Sequence, residues 1–313
     1  MDMRDAFADA LVELGEEFPK VIVLDADLNT SSKTVKFLQK FPRRFVQVGI
    51  AEQNLLGIAA GLASEGYIPF PSTFACFAAR RACDQVAISI AFPKLNVKIP
   101  GSYAGLPTSQ CGASHNAIED IAIMRAIPNM RVADPGDNQE LRSVMRAAVL
   151  HDGPVYFRIT RLTLPDLFDR NYTFEWGKGV KLRPGTDVTL VGTGMMTSLC
   201  LRAADLLAEA GVRAEVLHIG SIKPLDTELL VESASRTGAV VTAENASVIG
   251  GFGGAVAEAL GELHPVPIKR IGVQDRFVDS GGIDALFTHY RMQPKDIAEA
   301  ARVVMKARWG KVS

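Results

Sequence analysis

Residues 46–66 read Val-Gln-Val-Gly-Ile-Ala-Glu-Gln-Asn-Leu-Leu-Gly-Ile-Ala-Ala-Gly-Leu-Ala-Ser-Glu-Gly, and their reading decides the fold. A β-branched run closes at Gly49 and a helical pattern follows at once, with Glu52 in its first turn. Short strands alternating with longer helices are the signature of parallel α/β architecture. In such folds ligands gather at the carboxyl ends of strands, so Glu52 is well placed to meet one. The helix behind it is built from Gly57, Ala59, Ala60, Gly61 and Ala63. Each glycine costs roughly 1 kcal/mol relative to alanine, so close approach of another helix is the expected compensation. Taken alone, Glu52 is accounted for by the helix dipole, which favours an acid there by about 0.3–1 kcal/mol.

The same alternation runs outward in both directions. Upstream, residues 4–17 predict an amphipathic helix and 21–25 a strand, with 45–48 the strand entering the quoted helix. Downstream, helices are expected at 78–90, 117–126 and 138–150, and strands at 97–99, 130–133 and 155–159. Residues 163–187 then lose periodicity and collect Pro165, Gly177, Gly179, Pro184 and Gly185, the composition of a connection. Beyond it, strands are expected at 188–191, 214–219, 239–243 and 268–271. Helices are expected at 197–210 (closed by Gly211), 227–235, 253–263 and 294–307. The fold class is therefore α/β, two domains with parallel or mixed sheets over residues 1–165 and 187–313, joined by 166–186. Gly192 and Gly194 form half a dinucleotide fingerprint, but Thr197 stands at the third glycine, so a tight strand-to-helix turn explains them better.

Composition narrows the function classes. At 48% apolar and 22% charged residues the chain is an ordinary globular protein. A net charge of −1 gives no footprint for nucleic acid or an anionic membrane surface. No apolar run approaches the ~20 residues of a membrane helix, and the charged start from Asp2 onward lacks the apolar core of a signal peptide. Cys76, Cys83, Cys111 and Cys200 make no CxxC pair and no metal spacing, which fits a reduced, cytoplasmic setting.

Three runs carry the chemistry: Gly49-Ile-Ala-Glu52-Gln-Asn, Ser72-Thr-Phe-Ala-Cys-Phe77 and Asp84-Gln-Val86. Together they resemble the pyrimidine-binding domain of transketolases. The resemblance implies that Glu52 hydrogen-bonds N1′ of the aminopyrimidine of thiamine diphosphate and drives the ring toward its imino tautomer. That nitrogen then removes the thiazolium C2 proton, and the cofactor carries the carbanion left by cleavage of a ketose. To donate, the glutamate must hold its proton by burial, against the helix dipole's preference for charge. Phe74, Phe77 and Ile50 can supply the apolar pocket. Phe74 and Phe77, three apart, are expected on one side of a helical turn, and the resemblance sets Phe77 against the pyrimidine. Core packing accounts equally well for Phe74. Arg80 stands where the family has a tyrosine in the pocket wall.

The run Asp25-Ala-Asp27-Leu-Asn-Thr-Ser-Ser32 is similar to another segment of the family. By that match Asp27 lies near the thiazolium, while Ser31, Arg4 and Arg161 contact a substrate phosphate, for which guanidinium is suited. Without the resemblance, Arg4 and Arg161 would be unremarkable surface charges. Residues 100–120 follow the frame of the substrate loop, and His115 falls on a histidine lining the channel. Two positions depart: Tyr103 stands for a histidine that binds near the donor carbonyl, and Cys111 for an acid that reads an acceptor hydroxyl. A thiol is a poor acceptor, so a substrate with a non-standard hydroxyl pattern, such as a branched or sulfonated sugar, is implied.

Transketolases hold the diphosphate and Mg²⁺ with Gly-Asp-Gly followed by Asn-Asn. This chain has only the fragment Gly136-Asp-Asn138, before a helix. The resemblance, which covers nearly the whole chain, therefore implies a C-terminal section that works with a separate N-terminal subunit as α₂β₂, sharing thiamine diphosphate and Mg²⁺. Its second domain is expected to organise the assembly and to carry no chemistry. Two other readings stand beside ketol transfer. One is the β chain of a 2-oxo acid dehydrogenase first component or a deoxyxylulose-phosphate-synthase-like enzyme. The other is a non-catalytic homologue that kept the fold; retention of Glu52, Phe77 and His115 together argues against it.

Overall fold

A computed structural model describes residues 1–309. The first part runs α1 (Met3–Glu17), β1 (Val21–Asp25), α2 (Val35–Lys40), β2 (Phe45–Gln47), α3 (Glu52–Ser64), β3 (Ile68–Phe74), β4 (Lys98–Ser102), α4 (Asp120–Ala126), β5 (Arg131–Ala133), α5 (Asn138–Leu150) and β6 (Val155–Ile159). The second runs β7 (Val180–Arg183), β8 (Val188–Gly192), α6 (Met196–Ala208), β9 (Ala214–His218), β10 (Ser221–Lys223), α7 (Thr227–Thr237), β11 (Val240–Ser247), α8 (Phe252–Leu263), β12 (Ile268–Val273), α9 (Ile283–His289) and α10 (Pro294–Trp309). Two mixed sheets result, ordered β10-β5-β6-β4-β3-β1-β2 and β12-β11-β8-β9-β7. Of the described strands, only β10 and β7 run antiparallel to their neighbours, each at a sheet edge. The predicted fold class is the one observed.

Three strands escape the sequence reading, each for a physical reason. β3 carries Pro69 and Pro71, which argue against a central strand. Its amide at Ile68 donates to Lys20 on the β1 side, so by alternation the proline nitrogens face β4, which pairs only from Thr73 onward. β7 lies inside the expected connection, as an edge strand of four residues whose Val-Lys-Leu-Arg alternation is too short to stand out between Gly177, Gly179, Pro184 and Gly185. β10 comes from beyond β9 yet closes the first sheet against β5, a long-range pairing that local pattern cannot reveal. The short helices α2 and α9 have no counterpart in the sequence reading either. Residues 78–90 are helical as expected, but wound as wide π turns over Phe77–Arg81 and Gln85–Ala91.

Two expectations about local packing need correction. Phe74 is the last residue of a strand and not part of a helical turn. Gly57 and Gly61 face outward, and a Cβ added to either meets nothing within 4 Å. The close helix neighbour they suggest is absent among the described residues. Asp137, in the Gly-Asp-Asn fragment, caps α5, accepting from the Glu140 amide at 2.7 Å and from the amides of Leu167 and Phe168. The Gly192–Gly194 turn joins β8 to α6 as expected, with Gly194 at φ +52°.

The two sheets share a buried polar seam. Arg158, 2% exposed, donates to Asp120, Asp134 and the Asn245 carbonyl. His218 bridges Glu140 and Thr197 at 2.7 Å each. Every donor here has an acceptor, the condition for burying charge without a large loss.

Glu244 is fully buried and receives the amides of Phe252 and Gly253 at the start of α8. Burial raises its pKa to about 7, outweighing those two bonds, which lower it. Folding thus raises its proton affinity, so its contribution to stability is present at low pH and is lost as pH rises through about 7. Between pH 5 and 8 the denaturation midpoint of wild type should fall more steeply than that of Glu244→Gln; parallel slopes would refute this.

Candidate active site

The strands of the first sheet deliver their residues to one edge. β1 leads into Asp25–Ser31, β2 into Gly49 and Glu52, β3 into Phe74 and Phe77, β4 into Tyr103, and β6 into Arg161. The Met3 amide donates to the Leu162 carbonyl at 3.0 Å, which sets the start of α1, with Arg4, beside the end of β6. All twelve candidate residues lie along this edge or in the loops above it.

Glu52 opens α3 and is 2% exposed. Its Oε2 accepts from Arg81 Nη1 at 2.7 Å, and its Oε1 accepts nothing from the described residues. The Arg81 guanidinium also lies 4.4 Å from the centroid of the Phe77 ring. Phe77 stacks with Phe74 at 5.8 Å and 19°, and His115 approaches Phe77 edge-on at 5.3 Å. Tyr103 closes the cluster with its ring 4.2 Å from Phe74. Arg81 thus links Glu52 to the aromatic cluster, a cation that the sequence does not announce. Ile50 is not part of that cluster in this chain, being 76% exposed. Arg80 turns to the loop after β4 instead, bonding Glu119 and the carbonyls of Ala113 and Ser114.

The loop after β1 is held by Asp25, which is buried and accepts from the Leu28 amide, Ser32, Thr34 and Gln47. Burial pushes its carboxyl up, and those four bonds draw it back only in part. Gln47 also accepts from the amides of Asp27 and Gly49, tying the β1 and β2 loops together. Asp27 adopts φ +63° with an exposed side chain, and Gly49 a φ of +73°. Strained or left-handed backbone of this kind clusters at functional loops.

Arg4 donates to Asp2, to the Ser31 carbonyl at 3.1 Å and to the Tyr103 hydroxyl at 2.7 Å. Arg161 lies 5.5 Å from the centroid of the Tyr103 ring and makes no hydrogen bond or ion pair with the described residues. Tyr103, at φ +61°, is thus the element that links the aromatic wall to both arginines. His115 shares a 2.8 Å contact with Ser114 Oγ through Nδ1, leaving Nε2 without a partner among the described residues. Cys111 is exposed in the same loop.

This loop is anchored by the second domain. The Leu106 amide donates to Asn245 Oδ1 at 3.0 Å, and the Ser247 amide to the Ile118 carbonyl at 2.7 Å. A Cβ on Gly112 would meet Ser280 Oγ at 2.6 Å. The second domain makes no contribution to the ring cluster, but it positions the loop that carries His115 and Cys111. Several buried polar atoms at the strand ends and in the loop after β4 lack partners among the described residues, among them Ser72, Thr73, Ser102, Thr160 and both amide atoms of Asn116. Orphaned groups of this kind need an external partner to be satisfied.

Family models match on both sides: the transketolase pyrimidine-binding domain over residues 1–166 and the transketolase C-terminal domain over 177–297. The chain belongs to the transketolase family. It is 45% identical, over 96% of its length and 94% of the relative, to a 6-deoxy-6-sulfo-D-fructose transketolase subunit of Clostridium sp. (strain MSTE9). It is 35% identical, over 97% of each chain, to an apulose-4-phosphate transketolase subunit of Phocaeicola vulgatus. Among solved structures it is similar to a split gene transketolase described as an inactive beta4 tetramer, with a TM-score of 0.93, 49% identity and coverage of 98% and 99%. Synthases of 1-deoxy-D-xylulose 5-phosphate match at 35–38% identity, with the chain spanning just under half of each. Like its relatives, this transketolase chain is a transferase subunit with a thiamine-dependent domain.

Asn245→Ala would leave the buried Leu106 amide without an acceptor, at a cost of about 1–3 kcal/mol. The expected outcome is faster amide hydrogen exchange across residues 105–117 with the rest of the chain protected as before. Unchanged exchange there would mean that the second domain does not hold the loop.

Proposed function

We propose that this transketolase chain is the C-terminal subunit of a two-chain enzyme that transfers a ketol unit from a ketose to an aldose. The single observation that carries the reading is Glu52, buried beside an aromatic wall with one carboxyl oxygen unclaimed among the described residues. Thiamine diphosphate, when bound, supplies the carbon nucleophile and the electron sink that sugar cleavage needs. The residues present fit its pyrimidine half: Glu52 for N1′, Phe77 and Phe74 for the ring face, Asp27 toward the thiazolium. Asp137, the one acid of the Gly-Asp-Asn fragment, is consumed as a helix cap, so the diphosphate and Mg²⁺ are assigned to the partner.

On the protein side, Glu52 offers its unclaimed Oε1 to the ring, and Oε2 as well once Arg81 gives it up. Arg81 is half exposed and free to swing outward. His115, through its unpartnered Nε2, holds or moves a proton at a sugar hydroxyl. Arg161 and Ser31 hold the anionic end of the substrate. We assign the domains as residues 1–165 and 187–313, with the connection at 166–186 contributing β7 to the second sheet. The outward face bearing Ile50, Gly57, Gly61, Ile88 and Phe92 is assigned to the partner in an α₂β₂ assembly. That assignment accounts for two glycines with open space and three exposed apolar side chains. The sugar is a non-standard one, branched or sulfonated, as the names of the two relatives suggest for those proteins.

The purified chain alone should show no turnover and gain it only with an N-terminal subunit, thiamine diphosphate and Mg²⁺; turnover by the lone chain would overturn the two-chain reading. In the assembled pair, Glu52→Gln should lower kcat by a factor of about 100 or more without disturbing assembly. Arg81→Ala should bind cofactor severalfold more tightly, because a competitor for Glu52 and Phe77 is gone, and equal or weaker binding would contradict that role.

A further inference from the structure

We infer that Asp2 weakens the preference of the far end of the sugar site for a doubly charged tail, so that a sugar ending in a sulfonate is accepted there as well as one ending in a phosphate. The inference rests on the ketol-transfer reading above and names the substrate class of that same site.

The arginine expected to grip a phosphate is largely occupied. A guanidinium has five N–H donors. In Arg4, Nε and one Nη2 proton go to the Asp2 carboxylate, and the two Nη1 protons go to the Ser31 carbonyl and the Tyr103 hydroxyl. One donor remains, too few for the bidentate grip that suits phosphate. Burial raises the Asp2 carboxyl, but the side-chain and backbone bonds from Arg4 outweigh it, so the net shift is downward and the group stays an anion. The other cations here are Arg161, which has no partner among the described residues, and Lys33, close enough to Asp2 to stabilise its charge. Asp2 thus removes one positive charge from a set of three.

Helix capping does not explain that charge. Asp2 is the N-cap of α1 and accepts from the Arg4 amide at 2.9 Å. Asparagine or serine would cap as well. The carboxylate does something more: it neutralises one of the arginines assigned to the substrate tail. Near a protein surface, Coulomb's law makes one such charge worth a factor of about three to ten in binding per unit charge on the ligand. A phosphate monoester above pH 7 carries close to two charges, whereas a sulfonate carries one at any ordinary pH. The dianion therefore meets Asp2 twice as strongly.

All the residues involved belong to this chain, so the full chain itself can be tested. Equilibrium binding of glycerol 3-phosphate and of 2,3-dihydroxypropane-1-sulfonate would be measured at pH 8 for wild type, Asp2→Asn and Asp2→Ser. Wild type should favour the phosphate over the sulfonate by less than either variant does. Both variants keep the cap and should shift the ratio toward phosphate by about three- to tenfold. A ratio that does not move, or that moves toward the sulfonate, would overturn the role of Asp2. Binding needs no turnover, so this outcome is independent of whether the assembled pair transfers ketol units; absence of transfer from every ketose would overturn only the reading above.

Discussion

A carboxyl group at the first position of a helix normally faces water, where the helix dipole keeps it charged. Glu52 has that position and is nonetheless 2% exposed. Removing such a group from water is costly unless something takes its charge or its proton. In this chain Arg81 takes the charge, and the same guanidinium covers Phe77. An ion pair and a ring face are held by one planar cation, in the place where a planar heterocycle is expected. The rest of the first domain is arranged so that this placement is possible.

That arrangement comes from the order of strands. Six parallel strands end on one edge, and five of them pass into a residue of the site. The loops are then fixed by side chains with no chemistry of their own. Asp25 ties down the turn after β1, and Gln47 joins it to the turn before Glu52. Arg80 and Asn245 hold the loop that carries Cys111 and His115 from its two sides. The buried seam of Arg158, Asp120 and Asp134 keeps the second sheet, and hence Asn245, in register with the first.

Much of this is legible in the residues themselves. Helix 138–150 and strand 155–159 are readable with both ends correct, because Asp137 is a strong cap and the strand is a compact apolar run. Glu52 stands out because a strand ends shortly before it. Other features are hidden for identifiable reasons. Two prolines disguise β3, and β10 belongs to a sheet whose other strands are far away in sequence. Arg81 has no part in the sequence reading, since nothing local says that a residue at i+4 from an aromatic will fold over its ring. Asp2 enters that reading only as part of a charged start. Gly57 and Gly61 signal a close approach, but no local pattern says whether the approaching surface lies within the chain.

The most direct test of the central claim is a structure of this chain with its N-terminal partner and thiamine diphosphate. The account predicts a Glu52 oxygen within about 2.6–3.2 Å of N1′ of the pyrimidine, with Arg81 displaced from that oxygen. A Glu52 still bound to Arg81 through the same oxygen, with the heterocycle seated elsewhere, would contradict it.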